Sequence, residues 1–117
     1  MRDPRKLDAF RHADELALRV YKATESFPAT EQYGLSSQMR RCAVSVAANI
    51  VEGSARETEK EYLRFLGIAF GSVRELGYLV SLAKRLGYLD GKAADDLETK
   101  QHQTAGSLGA LLKALHE

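Results

Sequence analysis

The sequence predicts an all-α protein, an antiparallel up-and-down four-helix bundle. Three observations predict it. Apolar residues recur at spacings of three and four in four successive segments. Prolines occur only at Pro4 and Pro28, so everything from Ala29 onward lacks the strongest helix breaker. No stretch alternates with the period of two that a half-buried strand would show. A chain of 117 residues makes one domain over residues 1–117, large enough to bury roughly two-thirds of its unfolded surface. Short links between the last three helices favour antiparallel neighbours.

The first helix covers about residues 6–26, where Phe10, Ala13, Ala17, Val20, Thr24 and Phe27 form one amphipathic stripe. Pro28 ends it, and "PATEQYGL" makes a connection with room for one short turn. A second helix over about 36–52 takes Ser36 or Ser37 as its N-cap. Leu35, Met39, Cys42, Val46 and Ile50 form its stripe, and Gly53 suits a left-handed closing residue. Thr58 precedes Glu61 by three, the capping-box spacing, so a third helix runs over about 59–86 and stops at Gly87. Asp90 caps a fourth, about 91–115, which carries Leu97, Leu108, Leu111, Leu112 and Leu115.

Helices two and three have more apolar surface than one bundle can hide. Helix three adds Leu63, Leu66 and Phe70 to a stripe that runs from Phe65 to Leu86, and helix two adds Val44, Ala47, Ala48 and Val51 to its own. A bundle core uses only about a 100°-wide arc of each helix. Self-association is the expected use of the remainder.

Within helix two, Arg41, Ser45, Asn49, Glu52 and Arg56 are spaced four, four, three and four, which lines them up on one side. A hairpin that turns near Ala55 and Arg56 sets Asn49 opposite Tyr62 and Ser45 opposite Gly67. It brings Arg41 near Phe70 to Ser72, one turn from Glu75. Arg41, Ser45, Asn49, Glu52, Tyr62, Ser72 and Glu75 are therefore the candidate structural polar network. Buried polar groups persist where their hydrogen bonds are satisfied, and a satisfied set fixes the register of the helices that carry it.

Signals of catalysis are weak. His12, His102 and His116 do not fall in the Glu-x-x-His spacing of bundle metal sites. Cys42, the single cysteine, lies on an apolar stripe and reads as a small core residue; it excludes an internal disulfide and fits a reducing cytoplasm. No phosphate-cradling glycine loop and no nucleophile elbow appear. The expectation is a non-enzyme with no cofactor and no catalytic or metal-binding residue. No apolar run approaches the roughly 20 residues of a membrane span, and the polar N-terminus is no signal peptide. A net charge of +1, from 17 basic and 16 acidic residues, leaves only a local basic cluster to weigh. Arg40, Arg41, Arg56, Lys60 and Arg64 are the candidate nucleic-acid contacts, with Glu52, Glu57, Glu59 and Glu61 in the same neighbourhood to neutralise them.

The string "FPATEQYGLSSQMRRCAVSVAANIVEGSAR", followed by "EYLRFLGIAFGSVREL", closely resembles the four-helix-bundle family encoded in 23S rRNA intervening sequences. That family includes the accessory variability proteins of diversity-generating retroelements. The resembling pieces include Phe27-Pro28, Tyr33-Gly34-Leu35, Arg40-Arg41, Asn49-Ile50, Glu52-Gly53, Gly71-Ser72 and Glu75-Leu76. The resemblance implies a bacterial cytoplasmic protein, a homopentameric ring or barrel of left-handed bundles, and no known enzymatic activity. For the retroelement relatives it implies nucleic-acid binding beside a reverse transcriptase through a strongly basic surface. This chain, at +1, departs from that basic character, and its Val51 stands where the family often has alanine. Two readings of function follow. The first is a non-enzymatic, self-assembling helical bundle whose partner is itself. The alternative is an RNA- or DNA-binding accessory to a nucleic-acid-processing protein.

Overall fold

The computed structural model describes residues 2–116. It holds four long helices, α1 (Asp8–Thr24), α2 (Leu35–Ser54), α3 (Glu59–Arg85) and α4 (Gly91–His116), with 3₁₀ turns at Pro4–Lys6 and Ala29–Glu31. No strand occurs among the described residues. Each helix packs on two others: α1 on α2 and α4, and α3 on α2 and α4. Lys100 of α4 reaches Glu15 of α1 while Asp96, one turn earlier, meets Arg19, so α1 and α4 run antiparallel. The Cα atoms extend 43 × 23 × 19 Å, the shape of an up-and-down bundle about one long helix in length.

The core stripes follow the predicted period with one shift of phase. In α1 the buried line is Ala9, Ala13, Leu16, Val20 and Thr24. Phe10 and Ala17 flank it, only partly covered. Leu16, fully buried, belongs to the same i, i+3, i+4 ladder as Ala13 and Val20. The helix starts at Asp8 rather than near residue 6 because Pro4–Lys6 forms its own turn, with the Asp3 carboxylate accepting from Arg5 N at 3.0 Å.

Several boundaries depart from expectation for identifiable reasons. α2 begins at Leu35, not behind a serine cap: the Glu31 carboxylate accepts from Leu35 N at 3.1 Å while Tyr88 donates its hydroxyl to the other oxygen at 2.9 Å. Ser36 is buried inside the first turn. Gly53 does not close α2 in a left-handed conformation. The helix continues to Ser54, and its C-cap Ala55 stays right-handed at φ −89°. Among the described residues, Gly87, at φ +80°, is the one with positive φ. There Tyr88 N donates to Ala83 O at 2.9 Å and Gly87 N to Lys84 O at 3.0 Å, the Schellman pattern that ends α3. Thr58 caps α3 by accepting from Glu61 N at 3.2 Å, and Asp90 caps α4 by accepting from Ala93 N at 2.8 Å.

By length and composition α3 could cross a membrane, with a mean hydropathy of 1.3 over 18 residues, contrary to the sequence reading. The core helix of a soluble protein passes the same test; 33% of that stretch is buried, and Leu66, Val73, Leu76 and Val80 of α3 are fully covered by the other helices.

Candidate functional site

The α2–α3 seam brings together three of the predicted polar residues. Ser45 Oγ and Ser72 Oγ lie 2.9 Å apart, and Asn49 Nδ2 donates to Ser45 Oγ at 3.0 Å and to Ser45 O at 2.8 Å. Cys42 Sγ donates to Ser72 O at 3.0 Å. Burial pushes the Cys42 thiol up to about 12, with the nearby Glu75 carboxylate adding to the shift, so the group is a neutral thiol at any physiological pH.

The register differs from the predicted one. Ser45 meets Ser72 rather than Gly67, because α2 runs through Gly53 instead of ending there and the hairpin turns later. At Gly53 the two helices approach closely: a Cβ added there would lie 2.9 Å from Phe65 Cβ and 3.3 Å from Tyr62 Cδ1. Glycine in a helix interior costs about 1 kcal/mol relative to alanine, and close backbone approach is what it permits in return.

Tyr62 is buried, but its ring serves the turn rather than Asn49, with the Arg2 guanidinium 4.0 Å above its centroid. Arg2 also donates to Arg56 O at 3.2 Å and pairs with Glu59 at 3.1 Å. This clamp from the N-terminus onto the α2–α3 turn carries no sequence signal, since a lone arginine beside Asp3 reads as a solvated charge. Glu52 turns outward and pairs with Arg56 at 3.5 Å. Arg41 and Glu75 are both exposed, and no ion pair joins them among the described residues.

The candidate nucleic-acid contacts are largely spoken for. Arg40 donates to Thr24 Oγ1 at 2.8 Å and lies 4.9 Å from the Tyr21 ring centroid. Arg56 pairs with Glu52 and lies over the Phe65 ring. Arg64 pairs with Glu61 at 3.0 Å and lies over the same ring. Lys60 is exposed on the first turn of α3.

The outer side of the same two helices is the notable surface. Val44 (43% exposed), Ala48 and Val51 (47%) form one line on α2, and Ile68 (42%) stands on α3 beside exposed Gly67 and Gly71. No atom lies within 4 Å of where a Cβ would sit at either glycine. Intrachain packing therefore does not explain them. A recess of about 580 Å³ lies instead between α3 and α4, where Gln101 donates to Val73 O at 2.9 Å above Gly77. Among the described residues no three His, Cys, Asp or Glu side chains converge as metal ligands would.

A family model described as 23S rRNA-intervening sequence protein matches residues 5–110. Among similar solved structures is a protein of unknown function from the S23 ribosomal protein family of Bacteroides thetaiotaomicron. It superposes with a TM-score of 0.82 at 20% sequence identity, covering 90% of this chain and 95% of that one. At that identity the likeness establishes the fold. No curated protein matches the chain.

Proposed function

This chain belongs to the 23S rRNA-intervening sequence protein family, and from that premise we propose that it is a non-enzymatic, self-assembling helical bundle of the cytoplasm that closes into a homopentamer. One observation carries self-assembly, and the number five is what the family resemblance implies. The outer side of α2 and α3 exposes Val44, Val51 and Ile68 beside two helix-interior glycines where an added Cβ would meet no atom beyond their own helix backbone. Exposed apolar residues scattered singly are ordinary. A line of them beside bare glycine backbone is a surface shaped for another helix. Cys42 supports the absence of thiol nucleophilic chemistry, because it is buried and held as the neutral thiol.

Sedimentation velocity at micromolar concentration tests the reading. The expected species is five copies of the 12.9 kDa chain, with no dissociation to single subunits over that range. A compact 12.9 kDa monomer refutes it. The rival reading, an RNA- or DNA-binding accessory, is disfavoured by the carboxylate partners of Arg56 and Arg64. Titrating labelled structured RNA at low and moderate salt decides between them, since phosphate-driven binding weakens steeply as salt rises.

A further inference from the structure

Resting on that assembly, we infer that the subunit seam is α2 of one copy laid antiparallel on α3 of the next, with Arg41 of one copy paired to Glu75 of its neighbour. The argument begins with heights along the bundle. Ser45 meets Ser72, and Gly53 meets Tyr62 and Phe65, which sets α2 and α3 level in one chain. One turn up from Ser45 is Arg41, level with Glu75, one turn beyond Ser72. Towards the other end Val44 is level with Gly71, Ala48 with Gly67 and Ile68, and Glu52 with Arg64.

A closed ring is generated by pure rotation, which moves no residue along the axis. With helices running along that axis, α2 of the next copy stands at the same height as α2 of the first. It is therefore antiparallel to the first copy's α3, and the same residues are level across the seam as within the chain. The side chains that then meet are complementary in shape and charge. Val44 and Ala48, which protrude, face Gly71 and Gly67, which leave open space. Arg41 and Glu75, exposed and without an ion-pair partner among the described residues, are opposite in sign and level. Glu52 and Arg64 repeat the complementarity with reversed sign at the other end, each already holding one intrachain partner. A parallel contact would lose both pairings, so the charges also select the orientation.

A charge swap tests this. The single variants Arg41→Glu and Glu75→Arg, the double variant, and Gly71→Leu are purified and sedimented over a concentration series. Each single reversal is expected to raise the midpoint of dissociation at least about tenfold, and the double variant to return most of the way to wild type. Gly71→Leu is expected to yield a folded, helical single subunit, because its new side chain enters open space in the chain and blocks only the neighbour. A wild-type oligomer that all four variants leave unchanged overturns the seam alone. Reversals that weaken assembly further when combined overturn it too. A wild-type chain that is already a single copy overturns the assembly itself. Melts of the reversals repeated in the single-subunit Gly71→Leu background separate a seam pair from an intrachain one: unchanged melting there supports the seam, and a loss restored by the double reversal overturns it.

Discussion

Replacing Gly53 with alanine should destabilise the fold, although the same change at an exposed helical glycine should stabilise it. On propensity alone, alanine gains about 1 kcal/mol over glycine in a helix interior. At Gly53 the new methyl would sit 2.9 Å from Phe65 Cβ and 3.4 Å from Tyr62 O. Carbon atoms are at their best separation near 3.5–4.0 Å, so α2 and α3 must part by more than half an ångström. The atoms in the way are a Cβ and a carbonyl, which cannot swing aside as the tip of a long side chain can. Overpacking of this kind costs about 1–3 kcal/mol, which exceeds or cancels the propensity gain. Gly106 on α4 is the control: it is exposed and has nothing within 4 Å of an added Cβ, so alanine there keeps the full gain. The two variants should differ by about 1–3 kcal/mol, or several degrees in Tm for a domain of this size. Thermal melts followed by circular dichroism measure it. A Gly53→Ala chain that melts at or above Gly106→Ala would refute the claim that close helix approach requires this glycine.

Two further outcomes concern titratable groups. Glu31 is held below the usual carboxylate range, first by its hydrogen bond from Leu35 N and then by the Tyr88 hydroxyl. A depressed folded value means that its contribution is present above the unfolded value and is lost as pH falls through the folded one. Wild type should therefore lose more stability than Glu31→Gln as pH drops from about 5 to 3, by urea melts at each pH; equal losses would remove Glu31 from the α2 cap. Cys42, with its thiol pushed up to about 12, should ignore a thiol-specific disulfide reagent at pH 8 in the native state and react within minutes in denaturant. Prompt native-state labelling would show that the seam opens.

The helices were legible because their signals are local. The capping pairs Thr58–Glu61 and Asp90–Ala93 lie three residues apart, and Gly87 stands where α3 must turn. Gly53 misled because the same residue serves two purposes, ending a helix or admitting a neighbour, and only the position of Phe65 decides between them. That ambiguity shifted the hairpin register, so Ser45 and Ser72 were both named as polar seam residues but not as each other's partners. The α2 cap was hidden for a different reason. It comes from Glu31 in the preceding 3₁₀ turn, steadied by Tyr88 from beyond α3, a contact 57 residues apart in sequence. Outward-facing Glu52 and Glu75 could not be told from buried ones by spacing, since they lie on the border of the apolar arc. The exposure of Val44 and Val51 was legible as an excess of apolar surface, because the arc exceeds what one core can use, but on α3 the surplus fell on the wrong residue: Leu66, named as extra, is fully buried, and Ile68, named in the stripe, is exposed.

Three of the four helix interfaces join consecutive helices, and only α1 with α4 brings distant parts of the chain together. Hairpins closed over a few residues cost little chain entropy and form quickly. The α1–α4 contact must instead gather the whole domain, and it does so partly through charge: Lys100, nearly buried, reaches Glu15 at 2.9 Å and His12 at 3.3 Å, and Arg19 reaches Asp96 at 2.7 Å. The α1–α4 interface is thus the one whose closure spans the longest loop, the clasp on an otherwise self-zipping bundle.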